Sequence, residues 1–197
     1  FCYFPCEVWR ENNPGIIDSA IAPVLRPSIK SGDSAQTAKR RERARLCFAL
    51  DGMAWDEDLV LERYELLYEA ALVEEARRDG RAASASAPAT PFGASMMFDH
   101  RRILATAIAR LRGKMKYRPV VFELMPPTFT LFQLQRVVEA ISGVRLHKQN
   151  FRRLIEAQGL VEGTGKLSSA SRGRPAEVFR FRREILAERP AADARLG

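Results

Sequence analysis

The sequence has few residues of the types that disulfide-stabilised, metal-binding and membrane proteins need. Of its 197 residues, three are Cys and two are His. A small, odd number of cysteines does not form a disulfide framework and is typical of a reducing compartment. No apolar run approaches the roughly 18 residues that cross a bilayer, and no segment has the pattern of a secretion signal. We therefore expect a cytoplasmic protein that makes no membrane contact.

Motifs for catalysis are also missing. The sequence contains no glycine-rich phosphate loop and no nucleophile motif. Cys2 and Cys6 could hold a metal only with further ligands, and none lies near them in the sequence. His100 and His147 each stand at the start of an expected helix, where capping is a simpler role than catalysis. We expect no catalytic residue, metal or cofactor in this chain.

Charge is distributed unevenly along the chain. Residues 1–99 contain 12 Lys and Arg against 16 Asp and Glu, a net charge of −4, whereas residues 100–197 contain 20 against 8, a net charge of +12. A basic bias on the scale of a domain favours an anionic partner, most often nucleic acid. On charge alone, a solvated basic surface remains the alternative.

The first half of the chain contains several helical patterns. Apolar spacing predicts a short helix over 16–25, and a basic amphipathic helix is expected over 39–50 after a polar loop over 27–36. Small residues and prolines over 81–95 are typical of a linker or mobile loop.

The strongest helix prediction in this half covers 57–79. Asp56 is a suitable N-cap, because its carboxylate can accept from the free N–H groups of the first turn. Gly80 is a suitable C-terminal stop. The predicted helix has too many apolar positions for one narrow stripe, which favours either a dimer interface or a buried core helix.

A further helix is expected over 99–116, with an apolar face and a basic face. The apolar face is formed by Ile103, Leu104, Ala107, Ile108 and Leu111, and the basic face by Arg101, Arg102, Arg110, Arg112, Lys114 and Lys116.

Two capped helices follow. Thr130 and Gln133 form a capping box at the start of the first helix, and Ser142-Gly143 ends it. The second helix is predicted over 147–158 and stops at Gly159. Its core face is formed by Phe151, Leu154 and Ile155.

A short turn between two capped helices matches helix-turn-helix architecture, whose second helix enters the major groove of DNA. The polar side chains of the second helix have suitable chemistry, since Arg can bind guanine and Asn or Gln can bind adenine. A solvated helix face is the alternative. The candidate DNA-binding residues here are His147, Lys148, Gln149, Asn150, Arg152 and Arg153.

A two-stranded wing is predicted after these helices. Residues 160–162 and 177–182 have strand character, and a Gly- and Ser-rich loop separates them. Arg172 and Arg174 lie in this loop and could contact phosphates or enter a narrow minor groove. A flexible charged loop is the alternative, but the two preceding helices favour a winged helix that binds double-stranded DNA.

The strings FELMPPTFTL and HKQNFRR, within 97–184, resemble the C-terminal region of Nudix-related transcriptional regulators, bacterial proteins that control NAD metabolism genes. The upstream part resembles the linker region of a proteobacterial branch often labelled Nudix hydrolase. The resemblance implies an N-terminal Nudix-fold domain that senses an ADP-ribose-type nucleotide, and a homodimer on an inverted repeat. This chain has no Nudix box, and it begins with Phe1, so we expect that domain to be missing.

Together these features predict a mainly α protein with a small β wing. Residues 1–95 are expected to form a helical linker or dimerisation region, 96–186 the winged helix-turn-helix, and 187–197 a tail. The expected function is a dimeric, sequence-specific transcriptional regulator of NAD or cofactor metabolism. Two alternatives are the C-terminal region of a Nudix hydrolase acting on a nucleoside diphosphate derivative, and a plain dimerisation module.

Overall fold

The computed structural model describes residues 15–28, 34–83, 87–89, 92–168 and 175–184. The chain divides into two compact units, Phe1–Ala109 and Arg110–Gly197. The boundary falls within a helix, so residues 96–109, which the sequence analysis grouped with the winged helix, lie in the first unit. Among the described helices, none is long and apolar enough to span a bilayer.

Seven α-helices and two β-strands are present in the described residues. The helices are α1 (Ala22–Ser28), α2 (Ser34–Phe48), α3 (Val60–Glu69), α4 (Glu74–Arg78), α5 (His100–Met115), α6 (Leu131–Ser142) and α7 (Lys148–Gln158), and the strands are β1 (Val161–Ser168) and β2 (Ala176–Phe181).

The first helical segment is confirmed, with a π-helical turn over Ile17–Ile21 that continues into α1. Its apolar side chains Ile17, Ile21 and Leu25 are buried, as their spacing predicts. Helix α2 begins earlier than expected and takes up part of the predicted polar loop.

The prediction of one long helix over 57–79 is wrong. A 3₁₀ turn over Glu57–Leu59 leads into α3, and the chain then leaves the helix before α4 begins. Ala71 has φ 54° in the break, and Val73 forms a parallel bridge with Phe92. Ala71, Leu72 and Val73 are all fully buried at 0% exposure. Burial of this extended segment outweighs its local helix propensity, which is a weak preference.

Both expected ends of that segment are confirmed. The Asp58 N–H donates to Asp56 Oδ1 at 2.9 Å, so Asp56 is the N-cap. Gly80 has φ 84° just after α4, in the left-handed region where glycine is favoured. Four hydrophobic residues of α3 are buried in the core of the first unit, which supports the core-helix alternative: Val60, Tyr64, Leu66 and Leu67.

A buried arginine organises the segment before α3. Arg63 is 0% exposed, and its guanidinium donates to the carbonyls of Cys47 (3.1 Å), Asp56 (2.7 Å) and Glu57 (3.2 Å). It also lies over the ring of Trp55, 4.0 Å from the centroid. The guanidinium thus gives hydrogen bonds to backbone carbonyls of the last turn of α2 and of the segment before α3.

The two predicted faces of α5 are only partly correct. Arg101, expected on the basic face, is 1% exposed and forms a buried ion pair with Glu75, with Nε and Oε1 2.7 Å apart. Ile103, expected on the apolar face, is 61% exposed, and Ala105 is buried in its place. The buried side of the helix therefore overlaps with the predicted apolar face but is rotated from it.

The second unit contains a separate core beneath α6, α7 and the wing. Phe129 forms an antiparallel bridge with Phe179, with N–H···O bonds of 3.0 and 2.8 Å. Phe122 stacks on Phe181 at a centroid distance of 4.2 Å. The strands are thus attached to the chain immediately before α6, as a winged helix requires.

Candidate nucleic-acid interface

The first helix of the candidate interface begins as its sequence predicts. The Gln133 N–H donates to Thr130 Oγ1 at 3.2 Å, and the Thr130 N–H donates to Gln133 Oε1 at 2.8 Å, which completes the capping box. Gly143 ends α6 in the left-handed region, with φ 76°. These two local signals fix the length and the exit direction of α6.

Two side chains of α6, which the sequence analysis missed, hold the turn that leads to α7. Gln135 Nε2 donates to Glu139 Oε1 (2.9 Å) and to the Leu146 carbonyl (2.8 Å). The Leu146 N–H donates to the same Glu139 oxygen at 2.9 Å. The bond from the Leu146 backbone, followed by the bond from Gln135, lowers the pKa of Glu139 below its ordinary value. The available signal was the i, i+4 spacing of Gln135 and Glu139 beside the turn.

Arg112 supports the C-terminal end of α6. The residue is 6% exposed, and its Nε donates to the Ile141 carbonyl at 2.6 Å. The last carbonyls of a helix have no partner within the helix, and a cation there also offsets the helix dipole. The sequence analysis placed Arg112 on the basic face of α5, whereas the structure shows it buried.

Helix α7 is confirmed, with His147 at the N-cap position and Gly159 (φ 62°) after its last turn. Phe151 and Ile155 are buried, as expected. Leu154, which was assigned to the same core face, is 41% exposed. At 100° per residue it lies about 80° from the centre of the buried side, so it stands at the edge of that side.

Every candidate residue on α7 and at its N-cap is solvent-exposed. The set consists of His147, Lys148, Gln149, Asn150, Arg152 and Arg153. The side chain of His147 makes no capping hydrogen bond, so the role suggested for it as a cap is not observed. The sequence has no Asp or Glu from 140 to 155, so the charged side chains of this segment are all basic.

The helical geometry divides these residues into two groups. Arg153 lies about 180° from the centre of the buried side, with Gln149 and Asn150 to either side of it. Lys148 and Arg152 lie on one flank and face the wing, since both line a cleft that β1 and β2 also border. The outward group can meet base edges, whereas the flanking group faces whatever enters the cleft.

Arg152 is already paired within its own helix. Its Nε donates to Glu156 Oε1 at 2.8 Å. That hydrogen bond and the charge of Glu156, with a smaller contribution from Glu177, raise the pKa of Arg152 above its ordinary value. A pair so exposed adds little stability.

The wing is an antiparallel hairpin that is longer than the sequence predicts. Pairing runs from Val161 opposite Phe181 to Ser168 opposite Ala176, with an irregularity between Gly163 and Leu167. There Thr164 Oγ1 donates to the Val178 carbonyl at 2.8 Å. The predicted first strand was too short, because glycine and polar residues weaken the strand pattern in its second half.

The expected contacts at the tip of the wing lie outside the described residues. Arg172 and Arg174 belong to the segment 169–174, for which the structure gives no description.

An open cleft of about 590 Å³ lies between the first turns of α6 and α7 and the wing. We call it the wing cleft. Its lining includes Thr130, Phe132, Lys148, Arg152, Leu167 and Glu177. The sequence analysis did not identify Phe132, Leu167 or Glu177, because their proximity depends on how the hairpin folds back toward α6.

A helix-turn-helix followed by a hairpin is the arrangement of a winged helix. A family model described as "NrtR DNA-binding winged helix domain" matches residues 121–181. Over residues 121–181 this chain is therefore similar to NrtR winged-helix domains. The matched range includes α6, the turn, α7 and both strands, so it contains the interface described above.

Similarity extends to individual proteins. The "ADPR responsive transcriptional repressor NtrR" of Acinetobacter baylyi is 43% identical over 86 residues, which are 44% of this chain and 34% of that protein. The chain thus spans about a third of the length of this curated relative. Shewanella oneidensis NrtR, solved in complex with a 27mer DNA, is 31% identical over 47% of this chain and 42% of its own, with a TM-score of 0.41.

Proposed function

We propose that this chain is the DNA-binding part of a cytoplasmic bacterial transcriptional regulator, and that α7 recognises its operator. The observation that carries the proposal is the exposed face of α7, which is basic and polar over 148–153, within a winged helix that matches the NrtR model. A helix about 10–12 Å across fits a major groove about 12 Å wide. The curated relative, a transcriptional repressor, supports the same role.

Different residues of α7 are proposed to serve different contacts. Arg153, Gln149 and Asn150 point outward and have the donors that recognise guanine and adenine. Lys148 and Arg152 contact phosphates, which position a protein on the duplex without specifying sequence. His147 adds a contact at the N-terminus of the helix, and Arg172 and Arg174 contact the neighbouring groove.

The experiment is fluorescence anisotropy with duplex DNA from the upstream region of the coding gene, beside a scrambled duplex, over a salt series. We expect tighter binding to the native duplex and an affinity that falls steeply between about 50 and 200 mM salt. Arg153→Ala should remove most of the preference for the native duplex. Arg41→Ala removes the same charge at an exposed position of α2 and serves as the matched control.

The result can also contradict the proposal. Equal, weak binding to both duplexes would indicate a basic surface without recognition. No binding at low salt would exclude α7 as a DNA-recognition helix and would favour the dimerisation-module alternative.

For the whole protein, we propose a homodimer that binds an inverted repeat near genes of NAD metabolism and responds to an ADP-ribose-type nucleotide bound outside the winged helix. The supports are the sequence resemblance and the printed name of the curated relative, which is ADPR responsive. Light scattering of the full-length protein tests the dimer. Repeating the anisotropy titration with added ADP-ribose tests the response, and an affinity unchanged by ADP-ribose would contradict it.

A further inference from the structure

Two large apolar side chains of the winged helix are strongly exposed in the same cleft. Phe132, in the first turn of α6, is 62% exposed, and Leu167, on β1, is 67% exposed. Both line the wing cleft, together with Lys148 and Arg152 of α7. Single exposed apolar residues are ordinary in soluble proteins. Two that share a cleft with cations fit an occupant that is both apolar and anionic.

The wing contributes a cross-strand pair to this cleft. Leu167 lies opposite Glu177 in the antiparallel register, so both side chains stand on one face of the hairpin. Glu177 also acts electrostatically on Arg152 across the cleft. Arg152 is thus held among carboxylates, and Lys148, at the first residue of α7, is the cation best placed to receive an anion.

The size of the major groove indicates which occupant this is. An α-helix of about 10–12 Å diameter fills a groove about 12 Å wide, so its flanks meet the two backbones that border the groove. Lys148 and Arg152 form the flank of α7 that faces the wing. A strand that borders the groove on this side must therefore pass the wing cleft. Its phosphates are anionic, and its deoxyribose rings offer apolar surface.

We propose that the wing cleft binds the sugar-phosphate backbone of one DNA strand, with Phe132 and Leu167 packed against deoxyribose and Lys148 against a phosphate. The proposal rests on the proposed function, since α7 must first occupy the major groove. It extends that function to residues outside the recognition helix and the basic loop of the wing.

The test compares Phe132→Ala, Leu167→Ala and Lys148→Ala in the anisotropy assay, with native and scrambled duplexes. Losing the apolar packing of either side chain should weaken binding to both duplexes by the same factor, about fivefold. Because no charge is removed, the slope of log affinity against log salt should not change in these two variants. Lys148→Ala should also weaken binding to both duplexes, but it should make that slope less steep by about 0.9.

Leu124→Ala is the matched control, because Leu124 is 54% exposed and does not line the cleft. It should bind both duplexes like the wild type. Phe132→Leu keeps an apolar side chain in the cleft and should restore most of the affinity that Phe132→Ala loses. Thermal unfolding of each variant shows whether a loss of affinity comes from misfolding.

The proposal fails if folded Phe132→Ala and Leu167→Ala variants bind both duplexes within about twofold of wild type, a change of about 0.4 kcal/mol. A loss confined to the native duplex would also contradict it, because backbone contacts do not distinguish sequences. A wild-type chain that binds neither duplex overturns the proposed function itself, and the two failures are therefore distinguishable.

Discussion

Helices α5 and α7 both carry arginines, and the two helices use them in opposite ways. In α5, Arg101 and Arg112 are almost fully buried and bind a carboxylate and a backbone carbonyl, respectively. In α7, Arg152 and Arg153 are exposed, and neither contributes to a core. The arginine content of a helix therefore does not reveal whether its charges support the fold or face a partner.

The difference arises from the neighbours of each helix. Arg101 faces Glu75 of α4, which is 2% exposed and requires a cation. Helix α7 contributes Phe151 and Ile155 to the core of the second unit, and among the described residues no Asp or Glu is buried in that core. The buried arginines are thus determined by distant partners, whereas the exposed ones follow from the periodicity of their own helix.

The largest expected effect is the loss of the buried ion pair. Arg101→Ala should lower the free energy of unfolding by about 3–5 kcal/mol, because it leaves the Glu75 carboxylate buried without its cation. Urea unfolding followed by circular dichroism measures this change. Arg102→Ala is the control, since Arg102 pairs with Glu65 at 37% and 29% exposure. If both variants lost the same stability, burial would not explain why some arginines stabilise the fold and others do not.

The second prediction concerns an exposed arginine, which should affect DNA binding and not stability. Arg153→Ala should leave the melting temperature unchanged and weaken binding to the native duplex by about 1–3 kcal/mol, with relaxed specificity. Anisotropy and thermal unfolding of the same preparation measure both quantities. A large loss of stability in this variant would show that Arg153 has a structural role like that of Arg101.

A third, smaller effect depends on pH. The hydrogen bonds from Leu146 and Gln135 lower the folded-state pKa of Glu139, so its stabilisation is complete above the unfolded pKa of about 4.3 and is lost as pH falls through the lower folded value. Between about pH 5 and pH 3, wild type should therefore lose more stability than Glu139→Gln. Melting temperatures measured across this pH range test the prediction. If they fell equally in wild type and Glu139→Gln, the role of Glu139 at the turn would be contradicted.

The smallest effect concerns the ion pair within α7. Glu156→Gln removes the partner of Arg152 and should cost no more than about 0.5 kcal/mol of stability, as expected of an exposed i, i+4 pair. Binding to both duplexes should become slightly tighter, because a negative charge leaves the face that meets DNA. Calorimetric melting and anisotropy check the two parts. Weaker binding would show that Glu156 orients Arg152 for its contact.

The sequence predicts the features that depend on interactions between residues close together in the chain, and it misses those that depend on distant residues. Helices α6 and α7 were correct because the capping box at Thr130 and the glycines at 143 and 159 act within one turn. The break before α4 was missed, since Ala71 adopts φ 54° without being glycine and is held there by burial. Local helix propensity does not include such tertiary effects.

The candidate site shows the same limit. The exposed residues of α7 could be identified from periodicity, but Phe132 and Leu167 are 35 positions apart and meet only across the folded hairpin. The contacts of Gln135 and Glu139 with the turn depend on the path of the backbone at Leu146. The roles of Arg172 and Arg174 stay predictions, because both lie outside the described residues.

The bonds from Gln135 and Glu139 to the turn have a consequence for how specificity can evolve. They reach only the N–H and C=O of Leu146, which every residue except proline carries at that position. These two side chains therefore hold the turn through backbone atoms, and their bonds do not depend on the identities of Gln149, Asn150 and Arg153. Paralogues could exchange these outward side chains and acquire new operators while the scaffold beneath them stays the same.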